Sequence, residues 1–141
     1  MNEQAKILIV DDEEVVRHSH LRSLAGTGCS TRVAEDGKTA LDVMEQQPFD
    51  VVLLDLRMPD IDGMDILKTI KYRWPDCEVV VITGYPSIES AKQAVKLGAF
   101  DYLTKPVGPD EVIKAANDAM MQKQWTLRSN HNHVTELGGT S

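Results

Sequence analysis

Four short stretches of the chain are apolar throughout or nearly so: Lys6 to Val10, Asp50 to Leu54, Glu78 to Thr83 and Phe100 to Thr104. The second and third contain Val51-Val52-Leu53-Leu54 and Val79-Val80-Val81-Ile82, with no polar alternation. Strands of that kind are covered on both faces, which is the usual place of parallel strands. A weaker stretch, Ser30 to Ala34, alternates more and suits an edge. Between the strands the apolar period lengthens to that of a helix. Val16, His20 and Leu24 recur at that spacing, as do Ala40, Leu41 and Met44. Asp62 is placed to cap a helix whose stripe is Ile66, Leu67 and Ile70. Ser87 starts another that carries Ile88, Ala91, Ala94 and Val95, and Gly98 ends it. The last helix has Pro109 in its first turn, then Asp110 and Glu111 at the positive end of its dipole.

Five strand-helix units in strict alternation predict an α/β fold: a doubly wound parallel sheet, order 2-1-3-4-5, with helices on both faces. Residues from Thr126 onward are polar, without clear period, and read as a flexible tail or the start of a linker. The domain therefore spans 1–125, and 126–141 stands apart.

Composition narrows the classes of function. The 141 residues carry a net charge of −7, which opposes nonspecific binding to nucleic acid or to an anionic membrane. The longest aliphatic runs are far shorter than the roughly 20 residues of a membrane-spanning helix. Met-Asn-Glu-Gln at the start lacks the basic opening of a secretion signal, so a cytoplasmic location is expected. Cys29 and Cys77 form no CxxC pattern and read as two reduced thiols.

The chemistry gathers at one place. Strand 1 runs into Asp11-Asp12, strand 3 into Asp55, strand 4 into Thr83-Gly84 and strand 5 into Lys105-Pro106. In this topology those carboxyl ends share one edge of the sheet, where ligands bind. Polar turn residues account for one or two such groups, and poorly for three carboxylates, a hydroxyl and a lysine together. Three close carboxylates repel and favour a hard divalent cation. A shallow, open set of this kind suits Mg²⁺ better than Ca²⁺. Asp55, already ionised, needs no general base to attack phosphorus. Lys105 stands roughly 10 Å of backbone away, within reach of its long side chain, and Thr83 lies on the strand between. These are parts for phosphoryl transfer to a carboxylate.

At these residues the sequence closely resembles the receiver domain of bacterial two-component response regulators. The likeness is carried by Ile7-Leu8-Ile9-Val10-Asp11-Asp12-Glu13, by Asp55-Leu56-Arg57-Met58-Pro59-Asp60-Ile61-Asp62-Gly63, by Val81-Ile82-Thr83-Gly84, and by Gly98-Ala99-Phe100-Asp101-Tyr102-Leu103-Thr104-Lys105-Pro106. It covers about residues 5 to 124. The resemblance implies a flavodoxin-like (βα)5 fold with Asp55 as phosphoryl acceptor from a sensor histidine kinase or phosphotransfer protein. It implies Mg²⁺ held by Asp11, Asp12, Asp55 and the Arg57 backbone carbonyl. Thr83 corresponds to the switch hydroxyl, Tyr102 to the switch aromatic and Lys105 to the phosphate-binding lysine, with a cis Lys105-Pro106 peptide. Phosphorylation is then expected to remodel the face of helix 4, strand 5 and helix 5, where a partner, an output domain or a second protomer docks. The wording from Thr83 to Pro106 is most like receivers that feed ATPase-type transcription activators.

Such a chain is a signalling switch that promotes its own phosphorylation and slow hydrolysis, not an enzyme in the usual sense. Four other readings fit less well. An FMN binder of the same strand order needs a phosphate-cradling loop after strand 1, where Asp11-Asp12 would repel it. Aspartate-dependent phosphatases commonly place a second Asp two residues after the nucleophile, where this chain has Arg57. No GxGxxG follows strand 1, which sets aside a dinucleotide enzyme. A docking module that is never phosphorylated remains the principal alternative, and the intact set of residues speaks against it. Arg57 and Tyr85, two residues beyond Asp55 and Thr83, are large enough to shield an aspartyl phosphate from water. The chain is either a free-standing receiver or the amino-terminal piece of a longer regulator.

Overall fold

A computed structural model describes residues 5–140, with side chains described over residues 5–128. In chain order the elements are β1 (Lys6–Val10), α1 (Glu14–Leu24), β2 (Ser30–Ala34), α2 (Gly37–Gln46), β3 (Val51–Leu54), α3 (Gly63–Arg73), β4 (Glu78–Thr83), α4 (Ile88–Lys96), β5 (Asp101–Thr104) and α5 (Pro109–Thr140). All strands are parallel, in the order β2-β1-β3-β4-β5, as the alternation predicts.

The unbroken apolar runs have a simple cause. Leu8, Val10, Val52, Leu54, Val79 and Val81 face α2, α3 and α4, where they meet Ala40, Met44, Ile66, Leu67, Ile70 and Ala94. Their sequence neighbours Ile7, Ile9, Val51, Leu53, Val80 and Ile82 face α1 and α5, against Leu24, Val112, Ala116, Ala119 and Met120. Successive side chains thus enter two different cores. Each fully buried Leu or Ile contributes roughly 1.5–3 kcal/mol.

Local signals act where the sequence places them. Asp62 caps α3 by accepting from the Met64 amide, and Ser87 and Ser90 form a capping box on α4. Gly98, at φ 100°, ends α4 in the left-handed region. β2 occupies an edge. Asp50 lies outside β3, and its carboxylate accepts from the Lys6 amide at 2.8 Å and the Lys123 ammonium at 2.5 Å. Lys123 thereby pins α5 to the amino-terminal end of the sheet.

One expectation is corrected. In α4 only Ala94 is buried; Ile88 is 76% and Val95 65% exposed, so the apolar stripe looks outward. Trp125 is 64% exposed and lies inside α5. α5 continues through the stretch from Thr126, read from the sequence as a tail or the start of a linker, as far as Thr140. A nucleated helix propagates at little cost, and no proline follows Pro109 to stop it. Cys77 is buried and its thiol is pushed up to about 12 by burial, opposed in part by Lys123 and Lys71. Cys29 is half-buried, and both cysteines are free.

Candidate functional site

Strand register assembles the site. Val10 pairs with Leu54, so the residues that follow, Asp11 and Asp55, leave the sheet side by side. The Asp55 amide donates to the Val10 carbonyl at 2.9 Å, which holds that step of the ladder one residue beyond β3. Thr83 pairs with Thr104, so Lys105 emerges next to the end of β4. The apolar strands therefore deliver their polar successors to one edge without any of these groups being needed to fold it.

Asp11, Asp12 and Asp55 each bring a carboxylate oxygen within 4.8 Å of the others. Asp11 and Asp55 are buried, while Asp12 is exposed. The Lys105 ammonium reaches in from β5 and lies 2.8 Å from Asp11, 3.4 Å from Asp55 and 3.5 Å from Glu13. Glu13 was not singled out from the sequence, and its place just beyond Asp12 was the available signal. The Arg57 amide donates to Asp55 at 3.2 Å, and the Glu13 amide to Asp11 at 2.9 Å. Arg57 also lines the cavity over Asp55, of about 310 Å³, together with Asp12, Glu13, Gly84, Tyr85 and Lys105. The Arg57 guanidinium stacks over the Tyr85 ring, 3.9 Å from its centroid. These are the two large residues that the sequence offered as a shield, and they meet.

The electrostatics follow from that crowding. Burial pushes the Asp55 carboxyl above the usual carboxylate range; the Arg57 amide opposes this, Asp11 adds to it, and Lys105 offsets part. Burial works to lower Lys105, but its bond to Asp11 and the charges of Asp11 and Asp55 outweigh that and hold it above the usual lysine value. His20, on the buried face of α1, is held below the usual histidine value by burial, against the pull of Asp11.

The donor set fits Mg²⁺. Three carboxylates against one ammonium leave an excess of two negative charges, all ligands are hard oxygens, and Asp12 keeps one side open to solvent.

Thr83 is buried, and its hydroxyl accepts from the Tyr85 amide at 3.1 Å. Tyr102 is half-buried on β5, apart from the carboxylates. Its hydroxyl lies 2.5 Å from the Ser90 hydroxyl and 3.3 Å from the Ser87 amide, at the start of α4. The sequence had given Ser90 no role beyond α4 itself. The Lys105-Pro106 peptide is cis.

A parallel 2-1-3-4-5 sheet with an Asp triad and a lysine at its carboxyl edge defines a class, the response regulator receiver domain. Residues 7–117 match that family, and the chain belongs to it. The response regulator protein PilR of Pseudomonas aeruginosa is 44% identical over 102 residues, covering 72% of this chain and 23% of that protein. NtrX from Brucella abortus superposes with a TM-score of 0.85 at 32% identity, covering 90% of this chain and 30% of that one. A CheY-like receiver domain protein from Methanospirillum hungatei gives 0.84 at 26% identity, covering 87% and 98%. The chain spans about a quarter of the length of the curated relatives it matches. Receiver domains act as signalling switches rather than enzymes in the usual sense. No described helix is long and apolar enough to cross a membrane.

Proposed function

We propose that this chain is a phosphorylation-controlled switch in which Asp55 accepts a phosphoryl group from a sensor histidine kinase or phosphotransfer protein. The observation that carries this reading is the convergence of Asp11, Asp12 and Asp55 with Lys105 at one open edge. A carboxylate oxygen of Asp55 forms the new bond to phosphorus, the bond from phosphorus to the donor breaks, and an acyl phosphate results. Lys105 is placed to neutralise phosphoryl oxygens. Asp11, Asp12, Asp55 and the Arg57 carbonyl would hold Mg²⁺, which when bound supplies positive charge to the transferring group. Arg57 and Tyr85 cover the site and limit the approach of water.

The switch reads the phosphoryl group through Thr83. Shifting a two-state domain from 1:99 to 99:1 takes about 5.5 kcal/mol. Charge-assisted hydrogen bonds contribute roughly 1.5–3 kcal/mol each, so two or three suffice. As Thr83 turns to the phosphate, Tyr102 exchanges its bonds at Ser87 and Ser90 for an inward position. That remodels the face of α4, β5 and α5, whose outward Ile88 and Val95 suit a partner, an output domain or a second copy. The reading places the chain in the cytoplasm, with a receiver over 1–125 and α5 beyond it leading into a linker.

Incubation with acetyl phosphate, with and without Mg²⁺, followed by intact mass, tests the proposal. The expected result is a Mg²⁺-dependent gain of one phosphoryl group that is lost in Asp55→Asn. No gain in folded protein, from acetyl phosphate or from a histidine kinase, would leave a docking module that is not phosphorylated.

A further inference from the structure

The loop between β3 and α3 carries Asp55, Leu56 and Arg57 at its start and Asp60 near its end. It is closed at its base, where the Gly63 amide donates to the Leu56 carbonyl at 3.1 Å. A Cβ on Gly63 would stand 2.4 Å from the Leu56 Cα, so only glycine allows this closure. Asp60 leaves the loop in the other direction. One carboxylate oxygen accepts from the Gly37 amide and the other from the Lys38 amide, each at 3.0 Å. These are the first two residues of α2, whose own cap, Asp36, accepts instead from Thr39 at 2.8 Å. α2 thus has two caps, one of them supplied by a different element more than twenty residues away. The approach is close on a second, independent measure. A Cβ at Gly37 would lie 2.4 Å from Ile66 Cδ1 and 3.2 Å from Ile61 Cβ. The two amides also hold the Asp60 carboxyl below the usual carboxylate range, so it bears its charge at the positive end of the helix.

We propose that Asp60 is a positioning residue for the phosphoryl site, fastening the loop that presents Asp55 and the Arg57 backbone to the fixed amino-terminus of α2. The proposal rests on the reading of Asp55 as acceptor and of the Arg57 carbonyl as a ligand. A backbone carbonyl has no rotamers with which to correct a misplaced loop, so its position is set by whatever holds the loop. Asp55 is anchored upstream by the ladder to Val10, which leaves the downstream half to the Gly63 closure and to Asp60. A two-point attachment fixes orientation as well as distance. Groups that orient metal ligands from outside the coordination shell typically affect affinity tenfold or more.

The test compares Asp60→Ala with Asp36→Ala, which removes the other cap of the same helix without touching the loop. Three quantities are read in each: melting temperature, amide exchange in EDTA, and the Mg²⁺ dissociation constant by calorimetry. Both variants should melt lower. Only Asp60→Ala should speed exchange at the Arg57 and Gly63 amides and raise the Mg²⁺ dissociation constant, by about tenfold. Asp60→Asn, which keeps one acceptor oxygen, should fall between. Equal losses of melting temperature, with loop exchange and Mg²⁺ affinity unchanged in Asp60→Ala, would reduce Asp60 to a second cap and overturn the proposal. Should the parent protein bind no Mg²⁺ at all, the phosphoryl reading fails on its own, while loop exchange in EDTA still decides whether Asp60 positions the loop.

Discussion

Lys105 stands between two buried carboxylates and, among the described residues, is the single ammonium that touches both. Lys105→Met removes that charge and leaves Asp11 and Asp55 uncompensated, a loss of about 3 kcal/mol in EDTA, at the low end for a broken buried pair. Added Mg²⁺ should recover part of it, which thermal melts with and without the cation will show. Asp55 behaves in the opposite sense. Its folded carboxyl holds its proton more tightly than the unfolded one, so ionisation works against the fold as pH rises from the ordinary carboxylate value through the raised one. Asp55→Asn removes that penalty and should melt roughly 3 °C higher than the parent in EDTA at neutral pH, a gain of about 1 kcal/mol. Arg57 and Tyr85 belong to the lifetime of the product instead. Replacing both by Ala uncovers Asp55 and should shorten the decay of the phosphorylated protein several-fold, followed by loss of the added mass over time. An unchanged decay would assign their stacking to the loop alone. These residues were legible in the sequence because each follows an apolar strand, and a strand end fixes position within about one residue. The bonds of Asp60 and Ser90 were not, because they join elements whose separation in space no local pattern encodes.

Among the helices α4 is held least by burial and most by its ends. Ala94 alone is fully inside, and the capping box and the Tyr102 hydroxyl fix the first turn. Tyr102→Phe removes the second of these, a loss of about 1 kcal/mol. Faster amide exchange confined to α4 is the expected signature, with β1 and β3 unchanged. The same helix shows where periodicity stops informing. Ile88, Ala91, Ala94 and Val95 do form an apolar stripe, but a stripe does not say which side meets the sheet. Here the small Ala94 lets the backbone approach β4 and β5, and the larger Ile88 and Val95 turn to solvent. In α3 the stripe and the buried face coincide, because Ile66, Leu67 and Ile70 fill the space between helix and sheet. The inner strands β1, β3 and β4 were readable almost to the residue, since residues that enter two cores leave no polar position to confuse the pattern.

At the scale of the whole molecule the charge excess at one edge couples folding to the cation. With Mg²⁺ at a hundred times its dissociation constant, binding stabilises by about 2.7 kcal/mol, near 8 °C of melting temperature for a chain of this length. The same titration on Asp12→Ala, which has one ligand fewer, should yield a smaller rise. α5 links this edge to the far end, from Pro109 beside the lysine loop, past the Lys123 bond to Asp50 and onward to Thr140. Its length escaped the sequence pattern because the residues from Thr126 on carry no regular apolar period, and a helix already nucleated needs none to propagate.

The contrast between the two cysteines turns the fold into a chemical gauge of its own integrity. Cys77 is 3% exposed, and a thiol held near 12 supplies almost no thiolate at neutral pH. Cys29 reaches the surface between α1 and β2. A maleimide should therefore add once to the native protein and a second time only to molecules that have opened the core. A dye can be placed at one known position without mutating anything. The second adduct counts, molecule by molecule, how often the interior is breached.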